Sequence, residues 1–351
     1  MNDISIRKEG HAGRITLQRP DALNAITHEM CLAIEQAFDA WREDDEVALI
    51  LLDAEGERAF CAGGDIAKLY ETGRAGDFGY GQTFWADEYR LNQKIFTYPK
   101  PVVSFLQGFT MGGGVGIGCH GTHRIVGDSS KISMPECGIG LVPDVGGTLM
   151  LALAPGRLGE YLGLTGARMN ASDAIYIGFA DHYIPETDWD TVKSGLIETG
   201  LADASLEQWI QKPSPSPIAN AQTDIDALFK GLTLHDMLID LRMSDSDFTK
   251  DILEQMRRNA PLSMACTVDI IRRLKNLEKT LSIEKALDLE YRFTSRAMQQ
   301  GDFLEGIRAQ IIDKDRNPQW QYPDMAVPMM TMSQMLFPLK DAALTFKKDE
   351  T

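Results

Sequence analysis

The 351-residue sequence is 44% hydrophobic and 25% charged, inside the range of ordinary globular chains and far from disordered, collagenous or disulfide-scaffold compositions. Its 35 Lys and Arg stand against 51 Asp and Glu, a net charge of -16, which is the wrong sign for wrapping a nucleic acid. A small anionic ligand can still bind at a local basic patch or on helix N-termini. The five cysteines, Cys31, Cys61, Cys119, Cys137 and Cys266, form no C-x-x-C pair, so neither a disulfide framework nor a zinc ribbon is expected. Met1 to Gly10 has no apolar h-region, and no stretch approaches the roughly 18 apolar residues that span a bilayer. The expectation is a soluble, cytoplasmic chain in a reducing compartment, with no membrane partner.

At roughly 150 residues per domain the length suggests about two domains. Ile4 to Arg7 and Arg14 to Gln18 alternate around a turn at Glu9 to Gly13, the pattern of a β-hairpin. Thr27 is placed as an N-cap, and Met30, Ile34, Ala37, Phe38 and Trp41 recur at helical spacing, which predicts a helix from Thr27 to about Arg42. Val47 to Leu52 is a short, fully apolar run, as expected of a strand covered on both faces in a parallel sheet. A helix over Tyr80 to Phe96 is stopped by Pro99 and Pro101. Strands at Val102 to Leu106, His123 to Val126 and Lys131 to Ser133 follow, with a glycine-dense helix after Met111 between the first two. Strands alternating with helices define an α/β class. Beyond about Pro185 only helical patterns remain, broken by the Pro-Ser run at Pro213 to Pro217, so the division is drawn as residues 1–185 and 186–351. No internal repeat stands out, and the methionine-rich tail from Met325 to Met335 reads as core packing.

Three segments carry candidate chemistry. The first, Ala59 to Ile66, follows a buried strand and leads into a helix; its Gly63 and Gly64 let backbone approach a ligand with N–H groups free. The second, Met111 to Gly118, holds more glycine than helix propensity tolerates, each costing about 1 kcal/mol against Ala. Either a backbone N–H at the helix start serves a developing oxyanion, or the helix packs closely on the sheet. Gly116 to Gly121 also satisfies G-x-G-x-x-G, with Glu136 at the distance of a ribose-binding acid. The strand before it does not run directly into the glycines and a strand follows, which argues against a dinucleotide site.

The third segment, Ser133 to Gly147, sets Glu136 and Asp144 among apolar residues, glycines and prolines, where solvated acids are not expected. Such surroundings raise carboxyl pKa values and suit acid/base work. The plain alternatives are that Asp144 caps the following helix and that Glu136 pairs with a basic residue. Cys119, His120 and His123 lack a fourth ligand at standard spacing, so no metal is expected. There is no G-x-S-x-G elbow, P-loop or H-E-x-x-H.

Leu23-Asn24-Ala25, Phe60 to Ile66, Met111 to Gly114 and Pro135-Glu136, in this order and spacing, resemble the crotonase (enoyl-CoA hydratase/isomerase) superfamily. Within it, Phe60 to Asp65, Met111 to Gly116, Pro143 to Gly147, Glu305 to Ala309 and Ile312 to Asp315 are most similar to the 3-hydroxyisobutyryl-CoA hydrolase branch. The resemblance implies a spiral of ββα turns followed by a C-terminal helical region, which packs against the core or a neighbouring subunit in a homo-oligomer. It implies an oxyanion hole from the N–H groups of Gly64 and Gly113. Backbone around Ala22 to Ala25 and Ala62 to Ile66, including Ala25, Ala62 and Asp65, would line the acyl-CoA channel, with Arg19 and Lys68 as phosphate partners.

Hydratases of the superfamily place a first catalytic glutamate two residues beyond the glycine triplet, and here that position is Gly116. Hydrolase members keep the glutamate matching Glu136, add the aspartate matching Asp144, and turn a further acid, matching Glu88, toward the ligand. The plain alternative for Glu88 is a solvated acid on the surface of its helix. The expected activity is hydrolysis of a short 3-hydroxyacyl-CoA thioester, most closely 3-hydroxyisobutyryl-CoA, with coenzyme A as part of the substrate and no separate cofactor. Hydratase or isomerase chemistry, or a catalytically dead CoA-binding protein, are the alternatives.

Overall fold

A computed structural model describes residues 3–346. Among these residues nine strands lie in two sheets: β1 (Ile4–Glu9), β2 (Ala12–Leu17), β3 (Leu49–Ala54), β4 (Ala59–Cys61), β5 (Val102–Phe105), β6 (Phe109–Met111), β7 (His123–Val126), β8 (Lys131–Ser133) and β9 (His182–Tyr183). The larger sheet runs β1-β2-β3-β5-β7-β9 and the smaller β4-β6-β8. The hairpin β1/β2 is antiparallel, and every later pairing within the two sheets is parallel. Successive pairs β3/β4, β5/β6 and β7/β8 each give one strand to each sheet. That is the ββα spiral, a repeat of topology that leaves no repeat of sequence.

The expected hairpin, the Thr27-capped helix and the strands at 102, 123 and 131 are all present, with bounds shifted by one or two residues. Thr27 Oγ1 accepts the Met30 N–H as the N-cap of helix His28–Trp41. The short strands β4, β6 and β9 carry two or three residues each, too few for period-two alternation to show.

The chain divides into two compact units that interleave along the sequence. The first takes residues 1–64, 90–133 and 168–220, and the second 65–89, 134–167 and 221–351. The division expected at residue 185 marks where strands end, and the last strand does end at Tyr183. In the first unit, Leu49, Leu51, Val103, Phe105 and Ile125 from one face of the larger sheet bury against Trp189, Val192 and Leu196 of helix Trp189–Thr199. Residues of β3 on both faces are buried, as its apolar run requires.

The second unit is helical. Helix Pro261–Lys275, buried along nearly all its length, packs against helices Gly147–Leu153, Leu158–Thr165 and Ile283–Gln300. The methionine-rich tail corrects its expectation: Met329 and Met330 are 79% and 73% exposed, and among its methionines only Met335 is buried. Helix Met329–Met335 is seven residues long and lays one side on its neighbours, leaving the rest outside. It borders a cavity of about 600 Å³ that Ala265 and Val268 also line. Among the described residues no helix is long and apolar enough to cross a membrane, and the five cysteines are unbridged and buried.

Candidate active site

In the first unit, two glycine segments leave the same edge of the smaller sheet. Strands β4 and β6 are parallel neighbours, with Cys61 opposite Thr110, so Gly64 and Gly113 each follow the end of a strand by a few residues. The neighbouring chain Ala22–Ile26 runs beside them: Ala62 N–H donates to Leu23 O, and Ile26 N–H to Gly63 O. The bridge between Ile26 and Gly64 thus uses the flanking carbonyl, and the N–H groups of Gly64 and Gly113 take no backbone partner among the described residues. Two backbone donors left open beyond neighbouring strand ends are what an oxyanion hole requires of a chain.

The close-packing reading of the glycine-dense helix holds at two positions. A Cβ on Gly114 would lie 2.1 Å from Cys61 O, and one on Gly118 would lie 2.6 Å from a Leu106 methyl. Those two glycines serve close packing of helix Gly113–Gly118 on the sheet, while Gly113 leaves its N–H open.

Asn24, fully buried with φ +55°, anchors the segment from Ala22 to Ile26. Its Nδ2 donates to Glu55 O and Ala59 O, and its Oδ1 accepts the Arg19 N–H. Ala25 and Ala62 flank it, both half-buried. Arg19 Nη1 donates to Ala25 O at 2.6 Å, so its guanidinium braces this segment and the phosphate role expected of it is not supported.

The acids gather in the second unit. Glu88 and Tyr89 sit on helix Phe78–Phe96, Glu136 opens the turn Glu136–Ile139, and Asp144 precedes helix Gly147–Leu153. Glu88, Glu136 and Asp144 are 3%, 5% and 4% exposed, and none of them forms an ion pair with Lys or Arg among the described residues. Glu88 Oε1 and Glu136 Oε2 have no hydrogen-bond partner. The solvated-surface alternative for Glu88 and the basic-partner alternative for Glu136 both fail.

The helix-cap alternative for Asp144 fails as well. Its side chain accepts the Tyr89 hydroxyl at 2.8 Å, and the first turn of the next helix is capped by Glu290, which accepts the N–H groups of Gly146 and Thr148 and the Thr148 hydroxyl.

Burial dominates the electrostatics. It pushes the Asp144 carboxyl up to about 7, with the Tyr89 hydroxyl and a backbone N–H pulling the other way. Glu290 rises to about 8, again by burial, against its Thr148 and Gly146 donors. Burial raises Glu136 well above the usual carboxylate range, and Asp144 adds to the shift. Glu88 is raised by the same two causes. Four acids without a cation cannot all carry charge at neutral pH, so protons are shared within the cluster.

The Glu136 turn is pinned tightly. Ala260 N–H donates to Cys137 O at 2.8 Å. A Cβ on Gly306 would fall 2.2 Å from Ile139 O, and one on Gly140, whose φ is +78°, would fall 2.5 Å from the Asp302 backbone. The motif Glu305 to Ala309 is explained by this contact and by Arg308, which grips Glu305, Asp313 and Asp315.

Asp65 is the residue before helix Ile66–Arg74, without a side-chain cap bond, and Lys68 lies exposed over the Tyr80 ring at 5.7 Å. No group of three or more His, Cys, Asp or Glu is placed to hold a metal among the described residues. Tyr89 and Glu290 were not singled out from sequence. Glu290 had a readable signal: it interrupts the buried stripe Ile283, Ala286, Leu287, Phe293, Thr294 and Ala297 of helix Ile283–Gln300.

Residues 12–337 match the family described as enoyl-CoA hydratase/isomerase. The chain belongs to that family, the crotonases. This crotonase is 37% identical over 325 residues to a Xenopus tropicalis protein named 3-hydroxyisobutyryl-CoA hydrolase, mitochondrial, covering 90% of this chain and 83% of that one. The Homo sapiens protein of the same name is 34% identical over 333 residues, covering 92% and 85%. Among solved structures, one titled an enoyl-CoA hydratase from Rhodobacter sphaeroides 2.4.1 is similar with a TM-score of 0.93 at 52% identity, over 98% of this chain and 100% of that chain. One titled a carnitinyl-CoA dehydratase from Mycobacterium thermoresistibile gives 0.94 at 39% identity, over 99% and 100%. The word mitochondrial belongs to the relatives' names, and the cytoplasmic location expected above finds no support in them.

Proposed function

We propose that this crotonase hydrolyses a short 3-hydroxyacyl-CoA thioester, 3-hydroxyisobutyryl-CoA foremost, to the hydroxy acid and free CoA. The observation that carries the reading is the buried, cation-free cluster of Glu88, Glu136 and Asp144, combined with Gly116 at the place where hydratases of the family put their first glutamate. The hydrolase names of its curated relatives agree.

The Gly64 and Gly113 N–H groups take the thioester oxygen as it gains charge, each such donor being worth about 3 to 4 kcal/mol in a dry site. Glu136 then acts by one of two routes. As nucleophile, its carboxylate bonds to the carbonyl carbon, the C–S bond breaks, and the thiolate takes a proton; water then opens the anhydride. As general base, it removes a proton from the water that attacks. Both need the ionised carboxylate, and desolvation makes that form a stronger base and nucleophile. Asp144, held by Tyr89, orients the acyl hydroxyl or the water, or supplies the proton to the departing thiolate. The resemblance assigns Ala25, Ala62, Asp65 and Glu88 to substrate binding and leaves Lys68 as the phosphate partner. A homo-oligomer agrees with the family resemblance.

One observation favours a second reading. The structure 52% identical to this chain is titled an enoyl-CoA hydratase. A single assay separates the two: with 3-hydroxyisobutyryl-CoA and a thiol reagent free CoA appears, while crotonyl-CoA keeps its enoyl absorbance. Fast loss of that absorbance without thiol release would establish the hydratase, and no reaction with either substrate would leave a protein that only binds CoA. Isobutyryl-CoA, which lacks the hydroxyl, should react up to roughly 10⁴-fold more slowly than its 3-hydroxy counterpart.

A further inference from the structure

The loop between Asp144 and its helix is strained. Val145 has φ +54° and Gly146 φ +80°. A β-branched residue in the left-handed region is a genuine outlier, and such conformations persist only where the surroundings over-determine them. Position 146 must be glycine to follow this path, so the residue that would ordinarily cap helix Gly147–Leu153 has no side chain to do it. The cap comes from helix Ile283–Gln300 instead. Glu290 Oε2 accepts the Gly146 N–H at 2.8 Å, and its Oε1 accepts the Thr148 N–H at 3.0 Å and the Thr148 hydroxyl.

One turn further along the same helix, Thr294 Oγ1 lies 3.4 Å from the Tyr89 hydroxyl, which donates to Asp144 Oδ2. The Tyr291 ring stands edge-on to Tyr89 with centroids 6.2 Å apart. One helix therefore holds the loop on both sides of the strained pair. Inside, Gly147 N–H donates to Asp144 O at 2.7 Å, so a change of path at Gly146 is transmitted directly to Asp144.

We propose that Glu290 is a positioning residue for the hydrolysis: by clamping Gly146 and Thr148 it keeps Val145 and Gly146 left-handed and so aims the Asp144 carboxylate at the reacting acyl group. This rests on the reading of Asp144 as a catalytic residue given above. A cap needed only for helix stability asks for no buried glutamate, because hydroxyl or amide side chains cap helices without burying an ionisable group. A carboxyl group whose two oxygens accept three donors directly after a catalytic residue fixes a geometry, and displacement of a reacting group by about 1 Å costs about 10²-fold in rate.

The test is a set of variants assayed by CoA release from 3-hydroxyisobutyryl-CoA: Glu290→Gln, Asp144→Asn, the double variant and Thr148→Val. Glu290→Gln keeps the volume but turns an amide N–H₂ toward groups that are themselves donors. It should lower kcat about 10- to 100-fold with KM within about threefold, in protein whose circular dichroism matches the parent. If Glu290 acts through Asp144, the double variant is no slower than Asp144→Asn alone.

Parental kcat in folded Glu290→Gln overturns the proposal, as does a double variant whose losses multiply; in either case a slow Asp144→Asn leaves the role of Asp144 standing. Full turnover in Asp144→Asn overturns both. If Glu290→Gln does not fold, Thr148→Val decides: it removes one donor and keeps the backbone N–H, and a fall of several-fold in kcat at constant KM supports the clamp, whereas unchanged kcat rejects it.

Discussion

The Tyr89 hydroxyl donates to Asp144 Oδ2 at 2.8 Å, and Tyr89 is itself fully buried. In a cluster without a cation, this neutral donor is the larger of the two groups that favour the charged form of Asp144 against burial, the other being a backbone N–H. A hydrogen bond to a charged group contributes about 1.5 to 3 kcal/mol. Tyr89→Phe should therefore raise the Asp144 pKa and lower kcat at neutral pH by about tenfold or more. Because the donor favours the ionised form, its loss moves the rising limb of the pH–kcat profile to higher pH, and recording that profile for parent and variant checks the sign.

Glu136→Gln separates chemistry from binding. The amide fills the same space but is a poor base and nucleophile, so kcat should fall at least about 10²-fold while affinity for the substrate persists, as calorimetry with the inactive variant would show. The same substitution removes a carboxyl that burial raises well above its ordinary range. At about pH 8, where keeping that charge or its proton is costly, the variant should be no less stable to urea than the parent. Near-parental turnover in a folded variant would mean that another residue carries the reaction.

Stability should fall as pH rises from about 5 to about 8.5. Asp144 titrates at about 7 in the folded chain against an ordinary 3.8, and Glu290 at about 8 against 4.5. A carboxyl with a raised folded pKa binds more protons folded than unfolded between those values, so its contribution is complete below the ordinary value and is lost as pH rises through the folded one. Glu88 and Glu136 act in the same direction. The half-buried His182, lowered by burial from 6.5, opposes them, since the unfolded chain binds its proton more readily; one group does not outweigh four. Urea midpoints across this range measure the slope, and Glu290→Gln should flatten it. A midpoint that climbs with pH would contradict the electrostatic picture.

Two glycines should respond oppositely to alanine. A Cβ on Gly114 would meet Cys61 O at 2.1 Å, and a backbone oxygen in a sheet cannot retreat, so Gly114→Ala should cost about 3 kcal/mol or more. Gly195, within helix Trp189–Thr199, has nothing within 4 Å of the added carbon. Gly195→Ala should stabilise by about 0.5 to 1 kcal/mol, chiefly by restricting the unfolded chain. Paired urea titrations read both.

The α/β class, the hairpin, the Thr27 cap and the identity of the glycine and acid segments were all legible in the chain, because each rests on local physics: hydrophobic period, capping chemistry, and glycine or carboxylate in company that does not suit it. The methionine tail was misread, and the role of Arg19 was not legible, for the complementary reason. A basic side chain near a loop looks the same in sequence whether it braces Ala25 O or meets a phosphate, and methionines on a short helix look the same buried or exposed. The interleaving of two units was not legible either, since strand and helix patterns report neighbours along the chain and not which segments return to the same core.

What the sequence by itself determined is that Glu136 and Asp144 are buried acids among glycines and prolines, since solvated carboxylates do not sit among Met134, Pro135, Val142 and Pro143. What only the tertiary structure decided is which groups share their proton and hold their shape. Tyr89 lies 55 residues before Asp144 and Glu290 lies 144 residues beyond Gly146. The pKa of a buried acid is set by the atoms within a few ångströms of it, and those atoms are brought there by helix packing, which no local pattern encodes.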